Sequence, residues 1–365
     1  MADNAYVERL TPLDRGLEKL STQIPWLSGR FLPTITSGAK SFLEIRSTAR
    51  DEPTLLDKGA IPSDVWPVPG LLIPPLPDSG DPVFAASVFR FADAAIIRLW
   101  AQNLTNPQLD LVLPPQSISQ RLSNAHSPAL AEISSLLSDD LIAKHPEYSK
   151  VPPQWPTEFP PSTSKLFSIP IHWINFLKEL LHKHVCCPIT TNTILCALIW
   201  TTITRLRTRL TAVNGRQRIS QTLSTPNNLY LGNAVLYGLS ELPAADLATS
   251  DEDLIRALAQ ICNCVLASQS PSTINSRHIA EVHHLIKHMD DSGTPFPGWD
   301  LFGSKDWVVT SWADLDLYGN DFGEGLGKPR DTVGEILEMM IMLRKEDMEG
   351  LEVDTMWQTL TSNTR

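Results

Sequence analysis

Between residues 15 and 23 (RGLEKLSTQ) and between 94 and 103 (AAIIRLWAQN), apolar side chains return at the spacing that lines one face of a helix. Residues 129–143 (ALAEISSLLSDDLIA) repeat that pattern, while 82–91 (PVFAASVFRF), bounded by turn formers, alternate as a buried strand does. Further along, 171–182, 191–210, 251–266 and 277–289 predict helices, the second so apolar that it belongs inside a core. Residues 228–237, 307–317 and 336–343 predict strands. Helices and strands alternate in both halves, which predicts α/β layers in each.

Proline marks where the halves part. The 29 prolines cluster at 62–82, 107–115 and 152–161, and the third cluster lies in the run VPPQWPTEFPPSTS from Val151 to Ser164. Each proline removes a backbone donor and fixes φ, so this run is expected to hold neither a helix nor a central strand. A linker over 151–165 leaves a first domain at 1–150 and a second at 166–365. Two cores also suit a chain of 365 residues, since a single core rarely grows past about 250–300.

Composition narrows the partners. Hydrophobic residues make up 42% and charged residues 19%, enough apolar surface to fold. Thirty Lys and Arg against 41 Asp and Glu give a net charge of -11, which repels a nucleic-acid backbone and an anionic membrane alike. Five cysteines (Cys186, Cys187, Cys196, Cys262, Cys264) follow no framework spacing, so reduced thiols and a cytoplasmic setting are expected. The first ten residues carry Asp3, Glu8 and Arg9 and do not read as a secretory leader, and no apolar run approaches the ~18 residues of a membrane helix.

The richest motif runs from Val309 to Pro329: a strand with Ser311-Trp312, then Asp321-Phe322-Gly323-Glu324-Gly325, then Lys328-Pro329. It is not a phosphate-binding P-loop, which would need glycine at Phe322 and Ser or Thr at Pro329. A kinase reading fails because no His-Arg-Asp loop precedes it. A glycine-rich turn without further meaning is the remaining alternative. Other stretches add to the motif: Ile189-Thr-Thr-Asn-Thr-Ile-Leu-Cys-Ala-Leu-Ile-Trp200, Leu229-Tyr-Leu-Gly-Asn-Ala-Val235 with its Gly232-Asn233, Thr11-Pro-Leu-Asp14, and Gln23-Ile-Pro-Trp-Leu-Ser-Gly-Arg30.

In this order, over residues 10–360, these stretches resemble the landmarks of the BAHD acyl-CoA-dependent acyltransferases, especially the fungal branch similar to trichothecene O-acetyltransferases. Glu324 stands where that family usually has tryptophan, and Thr193 where it usually has an acidic residue. The resemblance implies two chloramphenicol-acetyltransferase-like domains, each a mixed β-sheet with helices, and a tunnel at their interface. It implies a monomer that binds no resident cofactor, takes acyl-CoA as co-substrate and transfers acetyl to the hydroxyl of a small secondary metabolite. Asp321, Phe322, Gly323 and Gly325 would be the structural turn. Ser311, Trp312, Gly232, Asn233 and Lys328 would lie on the tunnel or CoA side, and a basic patch including Arg205, Arg207 or Lys328 would offset the acidic charge for CoA.

The family's chemistry needs a histidine in His-x-x-x-Asp, whose imidazole takes the acceptor's proton as general base. None of the nine histidines (126, 145, 172, 182, 184, 278, 283, 284, 288) has Asp four residues on. The strand-like 82–91 and the helix-like Ile96-Ile-Arg-Leu-Trp-Ala101 abut where the motif should lie, and Asp93 is too close to Trp100 to belong to it. A similar contraction falls between Asp14 and Arg15. Two readings stand: a skipped exon, or a catalytically silent acyltransferase-like binding protein.

Substitute chemistry is thin. Glu281, His284 and His288, with His283, Asp290 and Asp291 beside them, form a polar helix face, and His182, His184, Cys186 and Cys187 gather ligand types that alternation would align if the segment were a strand. Neither matches a common zinc pattern, so solvated faces and no metal are expected. No Gly-x-Ser-x-Gly elbow occurs, and the Ser-x-x-Lys matches at Ser37 and Ser162 lack their partner motifs.

Overall fold

The computed structural model describes residues 2–28, 30–33, 43–46, 54–56, 85–87, 94–106, parts of 108–133, 138–151, 157, 161–203, 208–224, 230, 234–243, 254–288, 296–297, 306–311, 319–323, 327–328 and 336–363. The first half opens on helix α1 (Ala2–Gln23), strands β1 (Arg30–Pro33), β2 (Leu43–Arg46), β3 (Thr54–Leu56) and β4 (Ala85–Ser87), helix α2 (Ala94–Thr105), helix α3 (Ser138–Lys144) and β5 (Tyr148–Ser149). Strands β1 and β2 pair antiparallel, β3 and β4 parallel. Helix α1 runs unbroken through the expected contraction at Asp14–Arg15. Its Gly16 faces α2 so closely that a Cβ there would stand 2.6 Å from Leu104 Cγ, so only glycine lets the two helices meet.

The second half begins with β6 (Ser162–Pro170), helix α4 (Ile171–Leu181), helix α5 (Thr191–Thr202), β7 (Thr208–Asn214), the short helix α6 (Arg216–Ile219) and β8 (Val235–Glu241). Helices α7 (Leu254–Ser268) and α8 (Ser276–His288) follow, then β9 (Phe296–Pro297), β10 (Asp306–Val309), β11 (Ile336–Arg344), α9 (Lys345–Val353), α10 (Thr355–Leu360) and β12 (Ser362–Asn363). Among the described residues, one sheet has the order β10-β7-β8, with β10 parallel and β8 antiparallel to β7. A second has the order β11-β6-β12, both partners antiparallel to β6.

The main core forms where α4, α5 and α7 cover β6 and β11 and are closed off by α9 and α10. Helix α5 is buried on every side, from Thr193 to Thr201, as its nearly uniform apolarity requires. Thr190 caps it by accepting from the Thr193 N–H at 3.1 Å. The Thr193 hydroxyl also meets that of Thr190 at 2.8 Å, which fixes the capping side chain. Within the core, Thr201 and Thr202 donate to the carbonyls of Ala197 and Leu198, both at 2.8 Å, so neither hydroxyl is left unpaired. Helix α7 buries Leu258, Ile261, Cys262 and Val265 along one stripe. A second cluster joins Val213, Leu236, Ile274, Ile279 and Val282.

Several expectations change. The helix expected over 191–210 ends at Thr202, and 208–214 is strand β7. Arg209 to Ala212 alternate polar and apolar residues, and pairing of the segment with both β8 and β10 takes it out of the helix. The proline-rich run was expected to exclude a central strand to Ser164, yet Ser162, Thr163 and Ser164 already pair with Arg344, Leu343 and Met342. The donor-less residues stop at Pro161, so β6 keeps its ladder, and Pro170 comes at the strand's end, where proline is tolerated. Of the strand expected over 228–237, residues 235–237 belong to β8, and Tyr230 and Ala234 lie outside it. Of the other expected elements, β4 is the described part of 82–91 and α3 the main described part of 129–143, while the strand expected over 307–317 is β10 only to Val309, with Thr310 and Ser311 outside it.

Candidate functional site

The Asp321 motif forms a tight turn held from within. Asp321 is exposed, and its carboxylate accepts the Gly323 N–H at 2.9 Å. Phe322 N–H donates to the Gly327 carbonyl at 2.9 Å, and Gly327 N–H donates back to the Gly323 carbonyl at 2.6 Å. Closing so short a loop needs left-handed backbone at Gly323 (φ 88°) and Gly327 (φ 69°), a conformation glycine adopts without penalty. Phe322 is buried, with its ring edge-on to Trp100 of α2 at 5.9 Å and 89°. Trp100 in turn donates its indole N–H to the Leu13 carbonyl of α1 at 2.9 Å. The turn is thus anchored to the helix that directly follows the contraction at 91–94, where the His-x-x-x-Asp segment was expected. One oxygen of the Asp321 carboxylate is thus engaged in the turn itself.

Ser311 is exposed just beyond β10 and Lys328 is exposed after the turn. Trp312, Gly232, Asn233, Gly325, Arg205 and Arg207 lie outside the described residues. A cavity of about 210 Å³ lies between β6 and α10, lined by Phe167, Glu352, Trp357, Gln358 and Thr361, and no residue of the Asp321 turn borders it. It is smaller than the roughly 300–1,000 Å³ of cofactor-sized pockets.

The two polar groupings singled out in the sequence do not form ligand sets. His182–His184 is a turn rather than a strand, and Cys186 and Cys187 are exposed. Glu281 meets His145 and Arg277 rather than His284 and His288, which stack ring on ring at 4.0 Å. All five cysteines are free thiols.

The cluster that Glu281 joins was not legible in the sequence. His145 follows α3 and is 1% exposed, with Glu147 two residues on at 4%. His145 Nδ1 lies 3.0 Å from Glu147 Oε1, and His278 Nε2 of α8 lies 3.1 Å from the same oxygen. His145 Nε2 lies 3.3 Å from Glu281 Oε2, and Arg277 Nε donates to Glu281 Oε1 at 3.2 Å. Burial alone would push the Glu147 carboxyl up, but the hydrogen bond with His145 and the close approach of the His278 ring nitrogen outweigh it and hold it down at about 2. Desolvation, together with the nearby Glu147 charge, pushes the Tyr148 hydroxyl upward. The one local trace in the sequence is the i, i+3 spacing of His278 and Glu281, which puts both on one helix face.

No protein-family model matches the chain. The mixed α/β fold resembles that of TRI101. The TRI101 structure of F. sporotrichioides, complexed with coenzyme A and T-2, superposes with a TM-score of 0.71 at 18% identity, covering 98% of this chain and 92% of that one. TRI101 of F. graminearum, complexed with coenzyme A and T-2 mycotoxin, gives 0.70 at 17% identity with the same coverage. The EpoB cyclization-docking bidomain of Sorangium cellulosum is more distant, at 0.53 and 13% identity over 96% of this chain and 76% of that one. Among curated proteins, the O-acetyltransferase dmxR13 of Cryptosporiopsis sp. (strain 8999) is 29% identical over 203 residues. That alignment spans 49% of this chain and 44% of dmxR13, less than half the relative's length. The likeness to this fold drawn from the sequence motifs is borne out.

Proposed function

We propose that the chain is built as an acyl-CoA-dependent O-acyltransferase that moves acetyl from CoA to the hydroxyl of a small secondary metabolite. One observation carries this reading: 98% of the chain superposes on an acetyltransferase solved with coenzyme A and an alcohol-bearing toxin. The O-acetyltransferase relative supports it independently, through sequence rather than shape. In the reaction a base takes the acceptor's proton, the oxygen attacks the thioester carbonyl and the CoA thiolate leaves. Acyl-CoA is a co-substrate, consumed in each turnover.

In this reading two lobes, 1–150 and 166–365, flank a channel, with 151–165 between them. Ser311, Trp312, Gly232, Asn233 and Lys328 serve the channel or the CoA side, and the 321–325 turn supports its wall. Free thiols suit a reducing, cytoplasmic setting, and no helix among the described residues is long and apolar enough to cross a membrane. The protein acts as a monomer.

The missing His-x-x-x-Asp favours a second reading for this chain as it stands, CoA binding without turnover. Calorimetry with CoA and a thiol-release assay with acetyl-CoA and an alcohol panel separate the two. The first reading expects CoA binding, with thiol release once a strand and loop carrying His-x-x-x-Asp are inserted between Phe91 and Ala94. Binding without release in that longer form supports the silent protein. Absence of CoA binding in both forms defeats both readings.

A further inference from the structure

We propose that His145, Glu147 and His278 form a site for a divalent cation of the zinc class, with Glu281 as its outer carboxylate, clamping the turn after α3 to helix α8. Nothing in this proposal depends on the acyl-transfer reading.

The ligand atoms of these three residues lie within 4.8 Å of one another, and the residues are buried or half-buried. A tetrahedral zinc ion with bonds of about 2.0–2.1 Å spaces neighbouring donors about 3.3 Å apart. The observed Nδ1–Oε1 and Nε2–Oε1 separations of 3.0 and 3.1 Å need only a few tenths of an ångström of expansion. The two-histidine, one-carboxylate donor set is one zinc uses, and its nitrogens disfavour magnesium and calcium.

Two further observations point inward to a shared ion. His278 Nε2 is cut off from water and close to Glu147, yet it makes no aligned hydrogen bond. The far nitrogen of His145 is already met by a carboxylate, Glu281, which Arg277 holds in place. Metal-bound histidines almost always make this contact, because an outer carboxylate fixes the ring and strengthens the inner nitrogen as a donor. Coordination uses the lone pair of a neutral imidazole, so each ring would face the cation with its unprotonated nitrogen, His145 Nδ1 and His278 Nε2, and keep its one proton on the other nitrogen, which in His145 is the one that meets Glu281. The two carboxylates balance its charge, and a water or the second Glu147 oxygen completes the shell. Because His145 and His278 come from distant stretches of chain, the ion would act as a staple that closes a long loop.

The test uses the full chain, stripped with EDTA, desalted, loaded with zinc chloride and passed through gel filtration before metal analysis. About one zinc per chain is expected in the wild type, with a melting temperature about 3–5 °C higher at a hundredfold excess over Kd. Magnesium in zinc's place should give neither effect. His278→Gln should lose the ion, and Glu281→Gln should bind zinc roughly 10- to 100-fold more weakly. Cys186→Ser/Cys187→Ser should retain it. Failure of the wild type to hold zinc overturns the proposal whatever the variants do. It is also overturned by equal retention in His278→Gln, or by loss of zinc only in the cysteine variant. If His278→Gln does not melt cooperatively, Glu281→Gln decides: unchanged zinc affinity overturns the proposal.

Discussion

The core around β6 and α5 and the knot around His145 are both buried, yet they are built on opposite principles. The core is held by non-directional burial of side chains such as Trp200, Phe167 and Trp357, the last two edge-on at 5.3 Å. The knot hides two histidines and two carboxylates whose cost of leaving water is offset only by their mutual contacts. An apolar core tolerates a partner of similar volume, whereas the knot tolerates no missing partner, because each remaining polar group would be left away from water without the contact that offsets its burial.

Substitutions probe this contrast, and the largest effect falls on the core. Trp200→Ala, at a fully buried position, should lower unfolding free energy by about 3–5 kcal/mol in urea titrations. A smaller loss than in the knot would reverse the comparison.

Glu147→Gln, measured in EDTA at pH 7, should cost about 2–3 kcal/mol, since His145 and His278 lose their charged acceptor. Its pH dependence is distinctive. With its folded pKa held near 2, below the ordinary 4.5, Glu147 adds stability that is fully present above pH 4.5 and lost as pH falls towards 2. The wild type should therefore lose on the order of 3 kcal/mol more than Glu147→Gln between pH 5 and 2. Parallel acid limbs in the two proteins would show that the knot's hydrogen bonds contribute nothing.

Gly323→Ala comes next. A Cβ there meets nothing within 4 Å, so the cost is that of the left-handed backbone alone, about 1–2 kcal/mol. A Trp100 fluorescence change in the same variant would report a shifted Phe322 ring. Thr190→Ala removes the cap of α5 and should cost about 1 kcal/mol.

The same contrast explains what could be read in advance. Helices α2, α4, α7 and α8 announce themselves by apolar spacing, and the Asp321 turn by its glycines, because these signals are local. The end of α5 is not marked locally: Ile203, Leu206 and Leu210 keep a helical spacing, and only the neighbouring strands decide that 208–214 joins a sheet. Strand β6 was obscured by the prolines before it, although none interrupts its ladder between Ser162 and Ile169. The motif carried the resemblance in fold, while the place of the Asp321 turn against Trp100 needed coordinates.

By itself, then, the chain's order of residues determined the alternating α/β make-up, the acidic, thiol-bearing character and the absence of a His-x-x-x-Asp base. These depend on residue type and on neighbours a few positions apart. The tertiary structure alone decided that His145, Glu147, His278 and Glu281 meet, and that Phe322 seats on α2. Such contacts join residues more than a hundred positions apart, and no local periodicity encodes which distant polar group will share a dry interior.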